Sequence, residues 1–297
     1  MGCLVACSEG SGASSAAATS GVSTTSIGAG GGVGGAAGTG GNPADGQGGG
    51  GGGEAPFILS SFYGLDDALP PTATTLCLGA AGEDGMPVVL RLPLPDDTID
   101  ESVFMVETTG DTATSILCAT LAPATDGTEL RTVLLVGEFG SAPADEPTRV
   151  TIVDSLLAAD GTDLVGATFD MVTPLAAGPQ LVVAERFGPN VPASACPPGA
   201  LQAVQMTWQG GVTAADGEPL GDAARLAVTV HVDDGDGTTA AVLPSSLTDL
   251  DNDNYVIACL DDDRPAVRIE VEAGEFFDPG NDPNPATAVD ITAPPPF

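Results

Sequence analysis

From Phe57 onward, apolar residues fall in short runs that often alternate with polar ones, and the runs end at clusters of Gly, Pro, Asp or Asn. In the run 87–92, Val88, Leu90 and Leu92 share one face while Val89 and Arg91 take the other; Val150 and Ile152 alternate in the same way with Arg149 and Thr151. A period of two marks half-buried β-strands, because successive side chains leave a strand on opposite sides. The pattern predicts strands over 57–60, 74–78, 87–92, 102–108, 115–121, 129–136, 149–153, 164–169 and 181–184. Asp126-Gly127 and Asp160-Gly161 read as hairpin-type turns, since glycine supplies the positive φ such turns need. A single helical turn near 98–102 is the exception. Further along, Val204, Met206 and Trp208 line one face, Val228, Val230 and Val232 another, and Val267, Ile269 and Val271 a third, with Arg268, Glu270 and Glu272 as charged alternates. Strands are expected there over 201–208, 225–232, 255–260 and 266–272. The fold class is all-β: two antiparallel β-sandwich domains, at 55–188 and 189–297, with a link at 188–192.

Residues 8–54 break this texture. They are Gly, Ser, Ala and Thr with almost nothing to bury, and they predict a disordered tether with an r.m.s. span on the order of 40 Å. Just ahead of the tether, Leu4-Val5-Ala6-Cys7 resembles the lipobox of bacterial lipoproteins. That resemblance implies diacylation of Cys7 and attachment to a membrane through the lipid. Only three residues precede the motif here, so 1–7 reads as a truncated signal. Met1-Gly2-Cys3 is a poorer match to an N-myristoylation signal, because Ala6 stands where Ser or Thr is usual.

Composition narrows the chemistry. Seven basic residues, all arginine, face 41 acidic ones, for a formal net charge of −34. The absence of lysine excludes Schiff-base, P-loop and pyridoxal chemistry. Nucleic acid is excluded as a partner, because its phosphates need basic side chains to neutralise them. No apolar run is long enough for a transmembrane helix.

Three stretches carry a second resemblance: 87–92, then 99–106 with Phe104 and Val106, then 148–166 with its Asp160-Gly161 turn and small apolar return strand. Together they resemble bacterial Ig-like domains of the S-layer type. The resemblance implies an adhesion or spacer module with no catalytic residues.

Apart from Cys3 and Cys7, the cysteines are Cys77, Cys118, Cys196 and Cys259. None forms a CxxC pair, and a lone histidine makes a Cys/His zinc site implausible, so disulfides in an exported protein are expected. Four cysteines allow three connectivities; the domain partition favours Cys77–Cys118 and Cys196–Cys259. That histidine, His231, alternates with the core valines and reads as a solvent-facing strand residue. Acidic loops make Ca2+ the candidate cofactor. Asp249, Asp251 and Asp253 follow the alternate-residue spacing of a calcium loop, with Asp261 or Asp278 as a distant completing ligand; Asn254 and Leu260 stand where an EF-hand needs Gly and Glu. The expected function is therefore a non-enzymatic, extracytoplasmic envelope protein. It would be lipid-anchored at the outer membrane or cell surface, or secreted, and would act in structure, adhesion or the binding of a cell-surface or extracellular protein or polysaccharide. The competing class is a secreted, glycosidase-like hydrolase using paired carboxylates, disfavoured by having one tryptophan and two tyrosines to stack sugars.

Overall fold

The computed structural model describes residues 56–95, 99–110, 114–188, 190, 195–248 and 253–294. Cys7, the 8–54 tether, Asp249 and Asp251 lie outside the described residues. The chain is all-β, as its periodicity requires. Among the described residues, fifteen strands form two lobes within one compact unit.

The first lobe comprises β1 (Ile58–Ser61), β2 (Asp84–Leu90), β3 (Phe104–Thr108), β4 (Ser115–Thr120), β5 (Thr132–Glu138), β6 (Pro147–Ile152) and β7 (Thr168–Phe169). They make a four-stranded sheet in the order β1-β2-β5-β4 and a three-stranded sheet in the order β3-β6-β7. Ile58, Met86, Val88, Leu90, Val133 and Leu135 from the first sheet meet Phe104, Val106, Val150 and Ile152 from the second in a single core. The alternation seen in the sequence is thus the inner face of each sheet.

The second lobe comprises β8 (Leu181–Phe187), β9 (Gln202–Trp208), β10 (Val228–Asp233), β11 (Thr239–Val242), β12 (Ser246–Thr248), β13 (Tyr255–Leu260), β14 (Ala266–Val271) and β15 (Thr287–Thr292). They form one sheet in the order β11-β10-β14-β15-β8-β9-β13-β12. Its two halves join where β15 runs parallel to β8, and the sheet curls so that Val204, Met206 and Val256 face Val228, Val230, Ile269 and Val271 across one core. Trp208 stacks on Phe276 there, with ring centroids 4.6 Å apart.

The lobes follow one plan. Strands 1-2-5-4 and 3-6-7 of the first correspond to β8-β9-β13-β12 and β10-β14-β15 of the second, which adds only β11. A helical turn precedes the third strand in each, Glu101–Val103 before β3 and Asp222–Leu226 before β10. Equivalent bonds follow: Val153 N–H to Val103 C=O (2.8 Å) and Glu272 N–H to Ala227 C=O (2.9 Å). The last hairpins also match, through bridges Leu157–Asp163 and Phe277–Pro283.

Several expectations change. The 74–78 strand is replaced by a 3-10 turn, Pro71–Thr75, because a proline at its start presets helical φ. Ala73 and Cys77, four residues apart, both bury against Val136, which is helical and not strand spacing. Arg225 belongs to the short helix, so its strand starts at Val228. The strand expected at 181–184 belongs to the second lobe and not the first: β8 pairs with β9 and β15, which puts the lobe boundary before Leu181 and not at the 188–192 link.

The lobes meet through the outer face of the β1-β2-β5-β4 sheet and that of its counterpart. At the seam Arg131 donates to Glu185 at 2.8 Å, with side chains 5% and 4% exposed. Asn254 donates to Thr132 (2.9 Å), the Thr132 and Tyr255 hydroxyls lie 3.0 Å apart, and Tyr255 also donates to Glu129 C=O (2.6 Å). Gly210 permits a close approach there; a Cβ on it would lie 2.9 Å from Phe62 Cδ1.

A buried pair is costly to break but not costly to replace, since the penalty lies in the abandoned charge. Arg131→Met alone should lower stability by about 3–5 kcal/mol, whereas Arg131→Met with Glu185→Leu should recover most of that loss. Urea denaturation of the single and double variants checks this; equal losses in both would contradict it.

Candidate functional site

The acidic loops in which calcium ligands were expected are turns held by their own side chains. Asp233 accepts from Gly235 N–H (2.8 Å), Asp236 from Thr238 N–H (3.0 Å) and Asp282 N–H donates to Asp278 (2.8 Å). In the last hairpin Asn284 is 2% exposed, and its side-chain oxygen accepts from Gly274, Glu275 and Phe276 N–H. The matching hairpin of the first lobe uses Asp163 instead, which accepts from Leu156 and Val165 N–H. The Val165 bond leads the effects that hold the Asp163 carboxyl below the usual carboxylate range. The bonds of Asp233, Asp236 and Asp163 to a backbone N–H two residues on are Asx-type, the reason Asp and Asn dominate tight turns, whereas those of Asn284 and that of Asp163 to Leu156 close across the hairpin.

Of the expected calcium ligands, Asp253 and Asp261 are described, and these two do not converge. Asp253 precedes β13 and Asp261 follows it; six strand residues separate them, a distance of about 20 Å at ~3.3 Å per residue. Asp253 accepts from Tyr255 N–H (2.6 Å), whereas Asp261 accepts from the Ser245 hydroxyl (2.9 Å). One ion could not touch both.

Carboxylates do come together in the first lobe. Oxygens of Asp66, Asp67 and Asp84 lie within 4.8 Å of one another, close enough to hold a metal ion. Asp84 opens β2 and is 1% exposed, whereas Asp67 is exposed. Asp84 takes Asp67 N–H on one oxygen (2.7 Å) and Phe139 N–H on the other (2.6 Å); Asp66 takes Ala142 N–H (3.0 Å). Asp67 sits in the left-handed region at φ +50°, which a short polar side chain tolerates. Burial pushes the Asp84 carboxyl up to about 6, the nearby Glu138 and Asp66 charges add to the rise, and the two backbone bonds oppose it. Tyr63, whose hydroxyl donates to Gly140 C=O at 2.8 Å, is raised too, first by burial and then by Asp84. An all-oxygen set of this kind suits hard cations. Sequence spacing did not reveal it: Asp66-Asp67 and Asp84 flank the 3-10 turn, and only the Leu65–Gly85 bridge brings them together.

A second feature lies beside the seam. The Pro71–Thr75 segment covers part of the outer face of the first sheet and the second lobe covers another part, leaving between them a cavity of about 380 Å³. Pro87 and Leu134, cross-strand partners, belong to its lining, with Leu69, Ala73 and Leu76 from the turn and Gly210, Gly211, Asp253 and Asn254 from the second lobe.

Both expected disulfides are present, Cys77–Cys118 and Cys196–Cys259. Each ties the connection between a lobe's first two strands to one of its later strands. Two disulfides indicate an oxidising, extracytoplasmic setting. No helix among the described residues is long and apolar enough to cross a membrane. His231 lies between core valines on β10, its Nε2 3.5 Å from the Glu270 carboxylate.

Because the folded Asp84 binds its proton more tightly than the unfolded chain does, it opposes folding once ionised. In metal-free protein its contribution to stability should therefore fall as pH rises from about 4 to about 6. Subtracting the melting profile of Asp84→Asn from that of the unaltered protein isolates this term; a flat difference across the window would contradict it.

No protein-family model, no curated protein and no solved structure matches this chain.

Proposed function

We propose that this chain is a non-catalytic protein of the cell envelope, attached through a lipid on Cys7 or released, in which two Ig-type sandwiches form a rigid, calcium-stabilised module. Its role is structural or adhesive, toward a cell-surface or extracellular protein or polysaccharide. The observation that carries this reading is the repeated strand plan. The order 1-2-5-4 opposite 3-6-7 is that of constant-type immunoglobulin sandwiches, and here two copies are locked back to back through a buried ion pair. Stiffness between repeated modules is what a spacer or adhesin requires, and disulfides in each lobe serve the same end.

Calcium is the cation that best suits Asp66, Asp67 and Asp84. Its tolerance of irregular oxygen geometry fits a site whose ligands come from two loop residues and a strand end, where Mg2+ demands near-ideal octahedra. A charge of −34 makes any such neutralisation favourable. The hydrolase alternative would use the raised Asp84 as a general acid beside Asp66. A proton donor must reach its substrate, and Asp84 at 1% exposure has no surface to offer.

Two experiments test the proposal. After EDTA treatment, calcium at about 100 times its dissociation constant should add about 2.7 kcal/mol of stability, read as a rise in melting temperature of several degrees. Asp67→Asn, which tolerates the left-handed backbone, should abolish that rise while leaving the metal-free melt nearly unchanged; an unaltered midpoint on adding calcium to the native chain sinks the metal assignment. For the anchor, Cys7→Ser should move the protein from the membrane fraction to the soluble fraction of its bacterial host, and equal partition of both forms would refute lipidation.

A further inference from the structure

The cavity beside the seam is distinct from the three-aspartate cluster and has no part in the adhesive reading. We infer that it is a binding site for an uncharged, largely apolar small molecule. Its volume of about 380 Å³ lies at the lower end of the ~300–1,000 Å³ span of small-molecule sites. The lining is overwhelmingly apolar and includes Phe62, Leu69, Leu76, Leu121 and Leu134. Leu76 is 37% exposed at the edge of this space.

Three features separate this space from a packing defect. Its base is the outer face of a sheet, Pro87 paired with Leu134, whose neighbours Val88 and Val133 point the other way into the core. The sheet is therefore complete without anything in the cavity. Its wall, the Pro71–Thr75 turn, is anchored at both ends. Leu69 and Gly85 on either side are bonded to backbone, through Leu69 N–H to Glu83 C=O (3.1 Å) and Gly85 N–H to Leu65 C=O (3.0 Å), and the Cys77–Cys118 disulfide fixes the turn to β4. The far wall is the second lobe, held by the Thr132, Asn254 and Tyr255 bonds of the seam. A preformed cavity with rigid walls binds without an ordering penalty.

Charge decides the class of ligand. Among the described residues of the lining, Asp253 is the sole ionisable side chain, and none is an arginine. An anion entering an apolar space beside a carboxylate would lose its hydration and gain repulsion. Fatty acids, phosphates and sulfonates are accordingly rejected, and a neutral molecule with its apolar body over Leu134 and its more polar end toward Asp253 and Asn254 is accepted.

The test uses the full chain and two related dyes. N-phenyl-1-naphthylamine is uncharged; 8-anilinonaphthalene-1-sulfonate carries the same rings and a negative charge. Titration followed by fluorescence should give saturable binding of one neutral dye per chain, with the sulfonate bound at least about tenfold more weakly. Thr72→Trp, at an exposed position on the rim, should weaken the neutral dye by about tenfold or more with the melting temperature unchanged. Leu134→Trp, which fills the base, should do the same and stands in if the rim variant does not fold. No saturable binding, equal binding of the two dyes, or wild-type affinity in the folded variants would each overturn the inference.

Discussion

The joint between the two lobes is the constraint on which the rest of the molecule depends. A sandwich normally presents the outer faces of its sheets to water, and in this chain one such face from each lobe is turned inward. That burial strands polar groups, among them Glu185 and Arg131, which answer each other at 2.8 Å. Burial alone would raise the Glu185 carboxyl, and the guanidinium opposes the rise. Not every group is so well served: Gln205 Oε1 and Thr207 Oγ1 on β9, and Gln209 Oε1 just after it, are buried without a protein partner. Such a seam specifies one arrangement more than it adds stability, because satisfied polar pairs punish any other register while returning little net energy.

The seam also explains the cavity. Two sheets brought face to face cannot be covered evenly when one already carries the disulfide-tied 3-10 turn on its outer surface. The space between turn and lobe is the geometric remainder. It stays open because Gly210 and Gly211 line the second lobe's side of it, and at Gly210 even a methyl group would press on Phe62.

Charge is managed locally throughout. Five of the seven arginines form ion pairs with carboxylates; Arg91 lies over the Phe57 ring and Arg186 reaches Ala266 C=O. The carboxylates have far too few cations, so many bond to backbone N–H groups in turns instead. The Thr162 backbone N–H is the first cause holding Asp160 below the usual carboxylate range. Asp100 and Asp236 are lowered first by the Ser102 and Thr238 side chains and then by their backbone N–H groups, whereas Asp262 is lowered first by the Arg264 guanidinium. A sequence rich in aspartate at turns therefore advertises turns first; among the described residues, carboxylates gather at Asp66, Asp67 and Asp84.

The chain's own pattern determined the all-β class, the core faces of β2, β6, β9, β10 and β14, and the pairing of cysteines by half. These follow from nearest-neighbour geometry, since a period of two and a turn residue act over a few positions. Short strands such as β11, β12 and β15 left no such trace, because their residues are half-buried or exposed and none presents a fully buried face. The repeat of one plan in both lobes was equally hidden: Asp163 in one hairpin and Asn284 in the other fill the same office with different atoms. Tertiary structure alone decided that Asp84 stands beside Asp66 and Asp67, that Asp261 lies a strand's length from Asp253, and that β8 belongs to the second lobe. Each depends on which distant backbone segments pair, and that choice is made by whole buried faces, not by any residue's neighbours in the chain.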